Sequence, residues 1–246
     1  MSSRTDEWLR GFVLKTQDIG EADVLVTWFT EELGKVRGVV TGGRKLTSKL
    51  LAGTRSGAIT ELRLVSRNGH GLYKLAGTRS VSLEIKFDDT SRNVLLQWFL
   101  EIIFRSLPDA QKNEVVFVLA REFFGQLDTL ADDSLWPQFL ILVLNNFLTA
   151  LGVAVHVPIT GAMPQYFSVS GGGFFEAGMQ GDRQVVEPKL YWRYVSLKDR
   201  SIVDGLRLKA EQEIDRLLLL WLNRFLEYHI DRKIRSFEFV NDILNQ

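Results

Sequence analysis

The sequence predicts an α+β protein in which a small five-stranded β-barrel precedes an all-α helical domain. Residues 1–83 alternate between short runs rich in Val, Thr and aromatic residues and turns that contain glycine, a pattern typical of small barrels. From residue 84 onward, apolar residues recur at helical spacing instead. We therefore divide the chain into a barrel domain, 1–83, and a helical domain, 84–246, which a glycine-rich hairpin interrupts at 153–184.

The barrel domain contains five strand-like runs. The segment Arg67-Asn68-Gly69-His70-Gly71 predicts a hairpin between the last two, because Asn-Gly favours positive φ. A Gly-flanked segment, 41–53, separates the third run from the fourth, and a helical turn is expected near Ser48–Leu51. This order fits an OB-fold, although a five-stranded SH3-like barrel would give almost the same pattern. The five expected strands are Trp8–Thr16, Ala22–Thr30, Lys35–Thr41, Ala58–Val65 and Leu72–Leu83.

The helical domain is expected to begin with an N-cap at Thr90 or Ser91, and its first helix ends before Pro108. The third helix is apolar nearly all round, which predicts a position in the middle of a bundle. Within the hairpin, three consecutive glycines separate two short strands, Tyr166–Val169 and Phe174–Glu176. The remaining helices are expected at Glu114–Leu127, Leu135–Leu151, Leu190–Leu197, Glu211–His229 and Phe237–Leu244.

Residues suited to catalysis are scarce. The chain has no cysteine, which excludes disulfides and thiolate metal sites and fits a reducing cytoplasm. Its three histidines fall in no metal-binding or nucleophile motif, and its acids form no cluster at metal-ligand spacing. The segment Gly42–Lys45 lacks the spacing of a nucleotide P-loop. We therefore expect no catalytic residue, no metal and no cofactor.

Targeting signals are absent from the sequence pattern as well. The first six residues are polar and lack the apolar core of a signal peptide. No apolar stretch approaches the length of a membrane span. We expect a cytoplasmic protein that does not enter a membrane.

The charge distribution favours binding of nucleic acid. The whole chain has zero net charge, yet Leu33–Leu83 holds ten basic residues and one acid, a net charge of +9. The following region, 86–182, has five basic and eleven acidic residues, a net charge of −6. Cations in a row along a strand bind phosphates and release counterions. The candidate DNA-binding residues are Lys35, Arg37, Arg44, Lys45, Lys49, Arg55, Lys74 and Arg79.

Two further observations refine this candidate interface. Lys35 and Arg37 are two residues apart, so they share one face of their strand. Trp28, Phe29 and Tyr73 are candidates for stacking against bases, and because Trp28 and Phe29 are adjacent, at most one of them faces outward. The alternatives are a protein-interaction scaffold with incidental DNA binding, and a nuclease, which would need a set of clustered acids or histidines.

Several segments together resemble the bacterial RecO family of recombination mediators. The resemblance is carried by 11–16 (GFVLKT), 20–30 (GEADVLVTWFT), 34–45 (GKVRGVVTGGRK), 48–53 (SKLLAG) and the tail Leu226–Leu244. No single segment is diagnostic, but their order and the length of the chain are similar to those of the family.

The chain departs from the family pattern in two places. Many family members carry a four-cysteine zinc module where the hairpin 153–184 lies, and this chain has no cysteine there. Packing of Phe167, Phe174 and Phe175 would then have to hold the hairpin in place of zinc. In the basic loop, Thr41 stands where the family often has lysine, which removes one phosphate contact.

The resemblance implies a cytoplasmic DNA-repair factor. Such proteins bind single- and double-stranded DNA, anneal complementary strands and, with RecR, help to load the recombinase RecA. They also contact the acidic C-terminal tail of single-strand binding protein. Candidate cations for that tail lie in the last third of the chain: Arg193, Lys198, Arg200, Arg207 and Lys209.

Overall fold

The computed structural model of the protein describes residues 8–44, 50, 54–56, 58–67, 71–84, 89–159, 163–176 and 182–245. The chain divides into two compact units, Met1–Thr129 and Leu130–Gln246. The expected helical turn at Ser48–Leu51 falls mostly outside the described residues.

The first unit contains a closed five-stranded barrel with the strand order β1-β2-β3-β5-β4. All neighbouring strands are antiparallel except β3 and β5, which pair in parallel. This arrangement is a Greek-key barrel and identifies the OB-fold rather than the SH3-like alternative. The strands are β1 (Trp8–Ile19), β2 (Asp23–Thr30), β3 (Gly34–Val40), β4 (Ala58–Arg67) and β5 (Leu72–Glu84).

The interior of the barrel is filled by one inward-facing set of apolar side chains. Trp28 is fully buried there, and Gly38 on the next strand gives its ring space, because a Cβ at Gly38 would lie 2.8 Å from the Cζ3 atom of Trp28. The core residues are Leu9, Val13, Val24, Val26, Trp28, Val36, Val40, Leu62, Leu64 and Leu75.

Two helices, α1 (Thr90–Ser106) and α2 (Glu114–Thr129), belong to the same compact unit as the barrel. The rings of Phe12 and Phe29, on the outer face of β1 and β2, lie 5.8 Å and 6.1 Å from the ring of Phe117 on α2. The last barrel strand ends at Glu84, and the compact unit that contains the barrel continues to Thr129. The side chain of Asp89 caps α1, one residue before the predicted N-cap.

The second unit is mostly helical. Helix α3 is buried at every residue from 136 to 145, as its all-round apolar sequence predicts, and it packs against α5 and α6. A 3-10 turn at Asp133–Leu135 precedes it. The elements of this unit are α3 (Trp136–Ala150), β6 (Tyr166–Ser168), β7 (Gly173–Phe175), β8 (Gln184–Val185), α4 (Pro188–Leu197), α5 (Ile202–Gly205), α6 (Gln212–Ile230) and α7 (Phe237–Leu244).

Strands β6, β7 and β8 form a small sheet in which β6 is central. Phe167 and Phe174 pair across β6 and β7 and are buried, with their ring centroids 5.0 Å apart. The Phe167 ring lies 5.2 Å from that of Trp221 on α6, and the Phe174 ring lies 5.1 Å from that of Tyr194 on α4. Aromatic packing thus ties the hairpin to the helices, as the sequence predicted for Phe167 and Phe174.

A carboxylate also holds the hairpin together. Asp182 accepts hydrogen bonds from the backbone N–H of Val169 at 2.9 Å, from the N–H and the hydroxyl of Ser170, and from the hydroxyl of Ser168. Burial acts to raise the pKa of Asp182, but the hydrogen bonds from Ser170, Val169 and Ser168 outweigh it and hold the pKa below its usual value.

Among the described residues, no helix combines the length and the apolar character needed to cross a membrane.

Candidate nucleic-acid interface

Lys35 is buried beneath the start of the loop that follows α1. Its ammonium group donates to the backbone oxygens of Phe104 at 2.9 Å and Leu107 at 2.5 Å, and it lies 3.2 Å from a carboxylate oxygen of Asp109. These partners occupy the three hydrogens of the ammonium group. Lys35 is therefore a structural residue, and we remove it from the candidate phosphate contacts.

Arg37 lies on the same outer face of β3 as Lys35, as the spacing predicted. Its Nη2 atom pairs with the other carboxylate oxygen of Asp109 at 3.0 Å, but half of its side chain is exposed. Arg44 is also exposed and pairs with Asp18 at 3.5 Å. Exposed pairs of this kind are worth at most about 1 kcal/mol, so a phosphate can displace either carboxylate.

Arg55, Lys74 and Arg79 are exposed and form no ion pair with any acidic residue that the structure describes. Lys74 is paired in the backbone with Val39 of β3 and Val65 of β4, which places it close to Arg37 on the outer face of the barrel. Within the part of the chain that the structure describes, no carboxylate competes with phosphate for these side chains. Lys45 and Lys49 lie outside the described residues.

The outer face of β5 carries most of this exposed charge. Leu75 points into the core, so Lys74 points outward, and Arg79 lies further along the same strand. Arg79 pairs in the backbone with Glu61, and Gly77 pairs with Arg63. At about 3.3 Å per residue, Lys74 and Arg79 are roughly 16 Å apart, a distance that spans several phosphates of a nucleic-acid strand.

The aromatic residues that were candidates for stacking against bases are largely buried. Trp28 and Phe29 are both fully buried, so neither can stack against a base, and only one of them, Phe29, faces outward from the barrel. Trp28 faces the barrel core, and Phe29 faces the helices that cover the outside of β2. Tyr73 is half-buried against the core. Trp8, at the start of β1, is a partly exposed aromatic residue outside the barrel core, and the sequence pattern did not single it out.

Arg193 is not available for an acidic partner. It is buried on α4, where its Nε and Nη2 atoms donate to the two carboxylate oxygens of Asp215 at 2.7 Å and 2.9 Å. Asp215 also accepts the backbone N–H of Glu211 near the start of α6. The pair joins α4 to α6, so we remove Arg193 from the candidate partner surface.

The remaining partner candidates lie in the segment between α4 and α6. Two of them pair with neighbouring aspartates, Lys198 with Asp199 at 2.6 Å and Arg207 with Asp204 at 3.1 Å. Val203, 47% exposed, adds an apolar surface in the same segment. The candidates retained are Lys198, Arg200, Arg207 and Lys209.

The part of the chain that the structure describes contains no group of three or more His, Asp or Glu residues placed to hold a metal ion. In the cysteine-free hairpin, aromatic rings and the Asp182 carboxylate make the contacts. These residues do not form the tetrahedral set of nitrogen and sulfur ligands that structural zinc requires.

Comparison with known proteins agrees with the fold. Residues 1–83 match the family described as "Recombination protein O N terminal". A DNA repair protein RecO from an Exiguobacterium species is 28% identical over 247 residues, which cover 87% of this chain and 97% of the relative. RecO proteins from Gloeobacter violaceus and Bifidobacterium longum are 24% and 27% identical, over 92% and 98% of this chain and 89% and 100% of the relatives.

The matches extend from the barrel through the helical part of the chain. The ordered motifs, the closed OB barrel and these similarities all lead to the same family. Residues 1–83 match the N-terminal domain of the RecO family, and most of the chain is similar to RecO proteins.

Proposed function

We propose that this chain is a DNA repair and recombination factor whose barrel binds single- and double-stranded DNA. In this proposal it anneals complementary strands and, together with RecR, helps to load a recombinase onto DNA coated with single-strand binding protein. It acts by binding, without a catalytic step, in the cytoplasm. The names of its relatives, DNA repair protein RecO, support the role in repair.

The observation that carries the proposal is the set of exposed cations on the barrel. Arg55, Lys74 and Arg79 are not neutralised by any described acid, although the chain as a whole has zero net charge. Concentrating positive charge on one domain of a neutral protein costs repulsion between the cations, and a polyanion relieves that repulsion. The same surface also favours DNA over a neutral protein partner.

Strand annealing by the purified full-length chain tests the proposal. We expect complementary oligonucleotides to pair faster with the protein than without it, both bare and coated with single-strand binding protein. The double variant Arg55→Glu and Lys74→Glu should lose most of this acceleration, because reversed charges repel phosphate. The matched control, Arg121→Glu and Arg232→Glu, reverses two exposed cations elsewhere and should anneal as the unmodified chain does.

Two outcomes would contradict the proposal. If the unmodified chain does not accelerate annealing, the annealing function is wrong. If the barrel variant and the control anneal equally well, the barrel cations are not the DNA contacts and the interface must lie elsewhere.

A further inference from the structure

We propose that Trp8 and Arg79 form a stacking platform for an unpaired base, on the outer face of β1, β4 and β5. This inference rests on the proposed DNA binding and adds a contact that distinguishes single strands from duplex. It starts from the position of Trp8, which pairs in the backbone with Arg63 of β4, while Arg63 pairs with Gly77 of β5. The Trp8 ring therefore crosses β4 and reaches β5.

Gly77 provides the surface on which this ring lies. A Cβ atom at Gly77 would be 3.2 Å from the Cη2 atom of Trp8 and 3.8 Å from its Cζ3 atom. Because glycine has no Cβ, the indole can lie close against the strand. Trp8 is half-buried outside the barrel core and so keeps part of its surface accessible to solvent.

Arg79 is held against the same ring. The central carbon of its guanidinium group lies 4.0 Å from the centroid of the Trp8 ring, within the range of a cation–π interaction. Its backbone partner on β4 is Glu61, yet the structure contains no ion pair between Arg79 and that carboxylate. The guanidinium is thus positioned by an aromatic ring and is not neutralised by its cross-strand neighbour, so its outer face and its charge remain available.

An exposed guanidinium that lies over a flat aromatic ring suits a planar ligand that carries negative charge. Unpaired nucleobases stack on tryptophan and on the plane of arginine, and their phosphates pair with cations such as Lys74 on the same strand of the barrel. In a duplex both faces of each base are already covered by neighbouring bases. The platform therefore favours single strands, whereas isolated cations bind either form.

The test compares the affinities of full-length variants for a dT oligonucleotide and for a hairpin duplex, by fluorescence anisotropy at several salt concentrations. Trp8→Leu keeps an apolar side chain at the start of β1 but cannot stack, and we expect it to weaken binding of the single strand roughly 5- to 150-fold. The salt slope should not change, because no phosphate contact is lost. Duplex affinity should stay within about threefold of the unmodified chain.

Two further variants separate stacking from packing and from charge. Trp8→Phe keeps an aromatic ring and should retain most of the single-strand affinity. Arg79→Lys keeps the charge but loses the plane, so it should weaken single-strand binding while the salt slope stays the same. The control is Trp192→Leu, which removes another accessible tryptophan, 59% exposed on α4, and should leave both affinities unchanged.

If Trp8→Leu proves unfolded by circular dichroism, the Phe and Lys variants still decide the matter. Equal single-strand affinity in the unmodified chain and in Arg79→Lys, or equal losses for single strand and duplex, would overturn the platform alone. If the unmodified chain binds neither oligonucleotide, the proposed DNA binding fails together with the platform.

Discussion

The ammonium group of Lys35 lies 2.5 Å from the backbone oxygen of Leu107, so a side chain of barrel strand β3 caps the C-terminal end of helix α1. The last carbonyl groups of a helix have no partner within the helix, and a cation there also interacts favourably with the helix dipole. In sequence, Lys35 is indistinguishable from the neighbouring cations. In the structure, it holds α1 against the barrel.

Replacing Lys35 by Met should therefore reduce stability rather than remove a DNA contact. The variant leaves two backbone oxygens without their donor, and we expect the free energy of unfolding to fall by about 1–3 kcal/mol. Arg37→Met, which loses only an exposed pair with Asp109, should cost at most about 1 kcal/mol. Urea denaturation measures both. Equal stability of the Lys35→Met variant and the unmodified chain would contradict this assignment.

The buried pair of Arg193 and Asp215 should behave as a unit. Removing one partner leaves a buried charge, so Arg193→Met should cost about 3–5 kcal/mol of unfolding free energy. The double variant Arg193→Met and Asp215→Leu removes both charges, and we expect it to recover part of that loss. Chemical denaturation of the two variants checks this. A double variant that is no more stable than Arg193→Met would contradict this account of the pair.

Acid should loosen the glycine-rich hairpin through Asp182. Because hydrogen bonds hold the pKa of this carboxyl below its value in the unfolded chain, its contribution to stability is present above the unfolded pKa. That contribution is lost as the pH falls through the lowered pKa of the folded state. Asp182→Asn should remove this part of the pH dependence.

Amide hydrogen exchange at Val169 and Ser170, whose N–H groups donate to Asp182, measures the effect locally. We expect protection of both amides to be lower in Asp182→Asn than in the unmodified chain at neutral pH. Asp242→Asn, an exposed aspartate on α7, serves as the control and should leave these amides unchanged. Equal protection in the two variants would show that Asp182 does not hold the hairpin.

The proposed partner surface predicts binding of an acidic peptide with a hydrophobic end. We expect the tail of single-strand binding protein to bind the full chain with micromolar affinity, about −8 kcal/mol, and more weakly at high salt. Reversing Arg200, Arg207 and Lys209 to Glu should weaken this binding at least tenfold, whereas the Arg121→Glu and Arg232→Glu control should not. Isothermal calorimetry gives the affinities, and unchanged binding by the triple variant would exclude this surface.

The longer elements could be predicted from the sequence because periodicity reports them directly. The last helix, Phe237–Leu244, has the predicted bounds, and α3 lies in the middle of its unit because it is apolar on every side. Strand β8 has two residues and helix α5 has four, too few to show a period, and neither was predicted.

The candidate interface was harder to predict, because alternation along a strand separates its two faces but does not reveal what covers the outer one. Phe29 and Lys35 both point outward from the barrel, and both are buried because α1 and α2 lie over that face. The burial of Arg193 also depends on a contact that the local sequence does not show, because its partner Asp215 is 22 residues away in sequence. The contacts of Trp8 cannot be predicted from the sequence pattern, because its partners, Gly77 and Arg79, come from a distant strand.

The salt dependence of duplex binding tests the central proposal, that exposed barrel cations contact DNA phosphates, most directly. For the full chain, the logarithm of the binding constant should fall linearly with the logarithm of the salt concentration. Changing Arg55 and Lys74 to Gln should reduce that slope by about 1.8, or about 0.9 for each lost phosphate contact. Changing Arg121 and Arg232 to Gln should leave it unaltered. A slope that is the same in the barrel variant and the unmodified chain, or reduced equally in the control, would contradict the proposal.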